Sequence, residues 1–247
     1  MSARLRLDEA VVAAGLLPSR ARARDAIRRG TVTVNGETAL KPATPVTADA
    51  ALAIGDPAAA YVSRAAMKLK AGLDAFGFDP EGRTVLDLGA STGGFTQLLL
   101  ERGAEHVVAI DVGHGQMHES LSGDPRVQLV EGINARHLSQ AHLDGHSVQA
   151  ITADLSFISL RLALPPALNL AASGSWGVFL VKPQFELGRD ALGRGGIVRD
   201  RKAAEGAAEA LKDWVDGQLG WRAVGLCPAP LTGGDGNQEF CLGAWRE

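Results

Sequence analysis

At 247 residues, 46% hydrophobic and 21% charged, the chain is long enough for one large domain and a small one. No stretch approaches the roughly 18 consecutive apolar residues of a membrane span, no apolar run marks a signal peptide, and two cysteines, Cys227 and Cys241, suit buried thiols of a reduced, cytoplasmic protein. The net charge of −3 divides unevenly: residues 1–48 carry eight Lys/Arg against four acids and the remainder 17 against 24, so a basic head suited to a polyanion precedes an acidic body.

The elements begin with Leu7, Ala10, Val11 and Ala14 at helical spacing, stopped by Gly15. Ser19 is placed to cap a second helix running to Arg29, with Gly30 as its stop. Thr31 to Glu37 then reads as a strand entering a tight hairpin at Asn35-Gly36. Arg20, Arg24 and Arg28 share one face of the second helix, with only Asp25 near enough in sequence to offset them. Such repulsion makes sense where the face meets phosphates, and Arg4, Arg6 and Lys41 add to it. Residues 4 to about 50 resemble the S-four-type RNA-binding module, which implies structured RNA as partner.

Gly55 to Ala60 reads as a connector, giving a small domain over 1–58, a linker over 59–63 and a large domain over 64–247. Ser63 is placed to cap a helix through Phe76 whose buried stripe is Ala66, Leu69, Leu73 and Phe76, with Lys68 just off it. Strands are expected at Thr84–Leu88, Val107–Val112, Val127–Val130, Val148–Ala153, Gly177–Val181, Trp221–Leu226 and Glu239–Ala244. Their alternation with helices predicts a Rossmann-like α/β domain with a seven-stranded, mostly parallel sheet, its last two strands antiparallel. Ligands of such sheets bind at the carboxyl ends of the strands.

The first of these strands runs into a glycine-rich turn, Asp87-Leu88-Gly89-Ala90-Ser91-Thr92-Gly93-Gly94-Phe95, that opens a helix from Phe95 to Arg102. Asp111 ends the next strand 22 residues beyond Gly89, where such folds place the acid that grips ribose hydroxyls. The spacing is neither that of nicotinamide enzymes nor that of a phosphate loop. An adenosyl ligand without phosphates, S-adenosylmethionine, suits it better, held by Asp87, Gly89, Ala90, Ser91, Gly93, Gly94, Phe95 and Asp111. The six histidines, all between His106 and His146, offer no set of three ligands, so no metal is expected.

Three charged residues sit at later strand tips: Asp154, Lys182 and Glu239. A lysine leaving an apolar strand needs acids beside it, and Lys68 would complete a Lys-Asp-Lys-Glu square. Phe157 is either a core ring or a stacking surface for an unstacked base. Arg64, Arg136 and Arg189 flank the same cleft, and the four glycines of Gly188 to Gly196 suggest a mobile lip.

These residues, the run Lys182-Pro183-Gln184-Phe185-Glu186 and the basic head together closely resemble the TlyA family of bacterial ribosomal-RNA 2′-O-methyltransferases, kin of FtsJ/RrmJ-type enzymes. The resemblance implies S-adenosylmethionine as donor, the 2′-hydroxyl of a cytidine in ribosomal RNA as acceptor, and Lys68, Asp154, Lys182 and Glu239 as the catalytic tetrad. It further implies ribosomal subunits as substrates of a protein expected to be a monomer. Two departures stand out: Ala60-Tyr61-Val62 where relatives more often have Arg-Ala-Trp-Val, and no basic residue near Ile133, which leaves Arg136 as the RNA contact there. The competing readings are a ribosome-assembly factor with an inactive fold, a small-molecule methyltransferase, and, from the haemolysin name attached to the family, a cytolysin.

Overall fold

A computed structural model describes residues 4–247, the side chain of Arg189 excepted. The chain divides into two compact units, Met1–Ala60 and Tyr61–Glu247.

In the first unit, β1 (Arg4–Arg6) leads into α1 (Leu7–Ala13) and α2 (Arg20–Arg28), followed by β2 (Val32–Val34), β3 (Glu37–Thr38), β4 (Pro45–Thr47) and β5 (Leu52–Ile54). The Ser19 hydroxyl accepts the Arg22 N–H at 3.4 Å, the cap its position predicts. Asn35 and Gly36 both have positive φ, 52° and 85°, as a two-residue hairpin turn demands between β2 and β3. Unforeseen are β1, which pairs with β4, and β5, which pairs with β2. Ala14 lies exposed beyond the end of α1, and Leu17 takes its expected place in a core with Leu7, Val11, Ala23, Ile27, Val32 and Val46. The connector is folded rather than slack: Arg29 binds Asp56 at 2.5 Å and Arg22 donates to the Ala58 carbonyl at 2.9 Å.

The second unit runs α3 (Ala65–Phe76), β6 (Thr84–Leu88), α4 (Gly94–Glu101), β7 (His106–Asp111), α5 (Glu119–Ser122), β8 (Val127–Glu131), β9 (Val148–Ala153), α6 (Leu160–Leu170), β10 (Ala171–Val181), α7 (Pro183–Glu186), α8 (Arg201–Asp216), β11 (Trp221–Pro228) and β12 (Phe240–Arg246). Its seven strands lie in the order β11-β12-β10-β9-β6-β7-β8. β8, β7, β6, β9 and β10 are parallel, while β12 is antiparallel to both its neighbours, β10 and β11. This is the α/β sheet expected from the alternation. Side chains alternate between the faces. Leu86, Leu88, Ile151 and Phe179 pack with α6 and α8 residues such as Leu164 and Leu211, whereas Val85, Val107 and Val178 pack with Leu69, Leu73, Leu98 and Leu99 of α3 and α4.

Helix α3 is preceded by Arg64 at its cap position, one residue later than expected, while the Ser63 hydroxyl accepts the Ala65 N–H at 3.2 Å; the helix stops at Gly77 with φ 66°. Among the described residues no helix is long and apolar enough to cross a membrane.

Candidate active site

The glycine-rich turn after β6 is set by contacts that a side chain would break. Gly89 has φ 81°, and a Cβ there would stand 2.5 Å from the Asp154 carbonyl oxygen. Ser91 is also left-handed, with φ 48°, and its N–H donates to Asp111 Oδ2 at 2.8 Å. Asp111 Oδ1 accepts the Gly113 N–H at 2.7 Å. Each Asp111 oxygen thus keeps acceptor capacity beyond these backbone bonds. Gly89, Ser91 and Asp111 line a cleft of about 1080 Å³, whose walls include the apolar Val112, Ile133 and Leu155.

The other residues expected at the cofactor act differently. Asp87 is wholly buried and accepts the Thr96 and Thr152 hydroxyls at 2.7 and 2.8 Å, so it braces the turn from below and does not line the cleft. Burial pushes its carboxyl up to about 6, against the pull of those two hydroxyls. Ala90 and Phe95 belong to the core, and Gly93 and Gly94 form the buried entrance to α4 beside Leu121 and Ser63.

The four charged residues converge at the carboxyl end of the sheet. Lys68 is only 8% exposed, and its Nζ lies 2.5 Å from Oε2 of Glu239, which is 2% exposed. Burial raises the Glu239 carboxyl while Lys68 opposes the rise. Lys182 Nζ stands 2.6 Å from Asp154 Oδ1 and donates to the Ser156 hydroxyl at 2.9 Å. Each lysine therefore has its own acid, a finer arrangement than the square expected. All four line a second cleft of about 530 Å³, which shares Asp154, Ser156, Phe157, Gln184, Phe185 and Leu192 with the first. Ser156, unremarked in the sequence, is the added polar group; its place two residues past a strand-end acid was the available signal.

Phe157 is resolved by burial: it is 92% exposed, so it is no core ring. Its φ is 65°, rare for a bulky residue, and its ring lies 5.3 Å from that of Phe185. Arg136 lines the first cleft and Arg64 the second. Arg189 begins a short 3₁₀ turn, but its side chain is outside the described residues. The glycine-rich segment is tied at its far end: Asn237 donates to the Gly196 carbonyl at 3.0 Å and accepts the Val198 N–H at 2.8 Å. No group of three or more His, Cys, Asp or Glu able to hold a metal occurs among the described residues.

In the first unit the arginine face is organised by Asp8, not Asp25. Asp8 is fully buried and binds Arg6 at 3.1 Å, Arg20 at 3.1 Å and Arg24 at 2.7 Å. Burial would raise its carboxyl, but the three guanidinium groups hold it far below the usual range. Asp25 instead pairs with Arg29 at 2.8 Å. Arg4, Arg28 and Lys41 are exposed on the same unit.

A model of the FtsJ-like methyltransferases matches residues 61–246, and one of the S4 domain matches residues 5–52. The chain belongs to the FtsJ-like methyltransferase family. It is 45% identical, over 98% of its length and 90% of the relative's, to the 16S/23S rRNA (cytidine-2′-O)-methyltransferase TlyA of Mycobacterium tuberculosis, so the resemblance to TlyA read from the motifs holds. A Streptococcus thermophilus structure solved under a hemolysin name matches with TM-score 0.76 and 35% identity, over all of this chain and 90% of that one. An O-methyltransferase from Bacillus cereus, in complex with SAH, shares the fold at TM-score 0.52 and 16% identity, over 75% of this chain and 82% of that one.

Proposed function

We propose that this methyltransferase uses S-adenosylmethionine to methylate the 2′-hydroxyl of a cytidine ribose in ribosomal RNA, on ribosomal subunits in the cytoplasm. The observation that carries the reading is the pair of lysine–carboxylate contacts, Lys182–Asp154 and Lys68–Glu239, in a cleft that shares its walls with the glycine-turn cleft. The TlyA name of the 45%-identical relative supports the same substrate.

The residues present suit the donor. Asp111 offers a carboxylate for ribose hydroxyls, the Gly89-to-Ser91 turn admits close backbone approach, and Val112, Ile133 and Leu155 provide apolar walls for a base. When bound, S-adenosylmethionine supplies an electrophilic methyl group. A ribose hydroxyl is a poor nucleophile near neutral pH, so its proton has to leave as the new bond forms. Lys182 is the base: Asp154 and Ser156 hold its amine in one place at the cleft. Lys68, held in place by Glu239, steadies the negative charge developing on the ribose oxygen. A positioned base is worth about 10²–10⁴-fold.

Phe157 receives the splayed base, and Arg64, Arg136 and Arg189 take phosphates around it. Arg4, Arg6, Arg20, Arg24, Arg28 and Lys41 hold the RNA through the first unit. Labelled-methyl transfer to purified ribosomal subunits tests the reading. Wild-type protein is expected to transfer, and Lys182→Ala to lose at least about 100-fold. Equal transfer by the two would remove Lys182 as the base, and none by wild type would favour an assembly factor. Release of dye from liposomes would favour the cytolysin.

A further inference from the structure

Glu186 closes helix α7 and reaches across to the turn that follows β9. Its Oε2 accepts the Ser159 hydroxyl at 2.6 Å and its Oε1 accepts the Leu160 N–H at 2.8 Å. Ser159 Oγ in turn accepts the Arg161 N–H at 3.2 Å, so the two side chains together close the N-terminus of α6. Glu186 lines neither cleft.

What the clasp joins gives it a second consequence. The turn between Asp154 and Ser159 carries Phe157, an exposed ring on left-handed backbone that no burial holds in place. A bulky residue keeps such a conformation only where its surroundings impose it. The ring paired with Phe157 is Phe185, the residue before Glu186. Two other contacts span the same strand tips, Lys182–Asp154 and Lys182–Ser156, and both use the amine that takes a proton in the proposed reaction. The Glu186 bonds are the ones free of that duty.

We propose that Glu186 is a positioning residue: its carboxylate holds the Phe157 turn outward, so that Phe157 and Phe185 form a paired aromatic platform for an unstacked nucleobase. The proposal rests on the RNA-methyltransferase reading and deepens it.

The test combines Glu186→Ala, Glu186→Gln, Phe157→Ala and the Phe157→Ala/Glu186→Ala double variant, with isolated ribosomal subunits as the probe. Both cofactor-free affinity and methyl transfer are measured. Glu186→Ala is expected to weaken affinity about tenfold, the size of one lost base–aromatic stack, and to raise KM more than it lowers kcat. Glu186→Gln, which keeps an acceptor for Leu160, should stay near wild type. In the Phe157→Ala background Glu186→Ala should add almost nothing, since two residues acting through one contact are not additive. Hydrogen exchange at the Leu160 amide should quicken in the alanine variant and recover in the glutamine variant.

Wild-type affinity and KM in Glu186→Ala, or independent and multiplicative losses in the double variant, would overturn the proposal. If wild type binds subunits but transfers no methyl, the enzymatic reading falls while the affinity measurements still decide the clasp.

Discussion

Lys68 and Glu239, 171 positions apart in the chain, meet at 2.5 Å with both side chains almost out of water. Removing one partner of such a pair leaves an uncompensated buried charge, at a cost of about 3–5 kcal/mol. Lys68→Met and Glu239→Leu singly should each lower the denaturation midpoint strongly. The double variant should regain most of the stability and none of the methyl transfer. Chemical denaturation beside a transfer assay checks both, and activity in the double variant would make the pair purely structural.

Asp87 and Asp8 bend the pH–stability curve in opposite directions. The Asp87 carboxyl is raised to about 6, so the fold favours its protonated form, and its contribution fades as pH climbs from about 4 to 6. Asp87→Asn should therefore remove a loss of about 3 kcal/mol between those values. The Asp8 carboxyl is held low by Arg24, Arg20 and Arg6 against burial, so its contribution is present above about pH 4 and fades below. Asp8→Asn should cost stability at neutral pH and flatten the acid limb of the curve. Unfolding midpoints from pH 3 to 8 separate the two effects.

Arg28 and Arg24 should differ as RNA contacts. Arg28 is exposed and makes no ion pair among the described residues, whereas Arg24 binds Asp8 at 2.7 Å. Arg28→Ala should weaken subunit binding and reduce the slope of log affinity against log salt by about 0.7–0.9, as one lost phosphate contact does. Arg24→Ala should also destabilise the first unit, because Asp8 loses a partner. Salt titrations and melting curves read the two quantities apart.

Cys227 and Cys241 face each other across β11 and β12 but should react at very different rates. Beside Cys241, the partly exposed Cys227 thiol is lowered to about 7; Cys241, next to Cys227 and buried, is raised far above its usual value. An alkylating reagent at pH 7.5 should label one thiol quickly, abolished by Cys227→Ser, since the thiolate is the nucleophile. Two equal rates would contradict the assignment.

Much of the site is legible in the sequence. Asp154 and Lys182 each end an apolar strand, and parallel neighbours about 4.8 Å apart bring such tips together. Gly89 and Asp111 were legible because a close turn needs glycine and the next strand must end beside it. The roles of Asp87 and Asp8 were not. A carboxylate within an apolar strand looks the same whether it faces a cofactor or two threonine hydroxyls, and a first-turn acid looks the same exposed or under three arginines.

From its order of residues alone the layering and seven strands of the second unit, the basic head and the glycine turn follow, because periodicity and backbone sterics act over neighbouring positions. Only the folded chain decides that Lys68 answers to Glu239 and Lys182 to Asp154, that Asp8 rather than Asp25 gathers the arginines, and that Glu186 clasps the Phe157 turn. Electrostatic and hydrogen-bond energies depend on separation in space over a few ångströms, and that separation is set by strand order and burial, which no local spacing encodes.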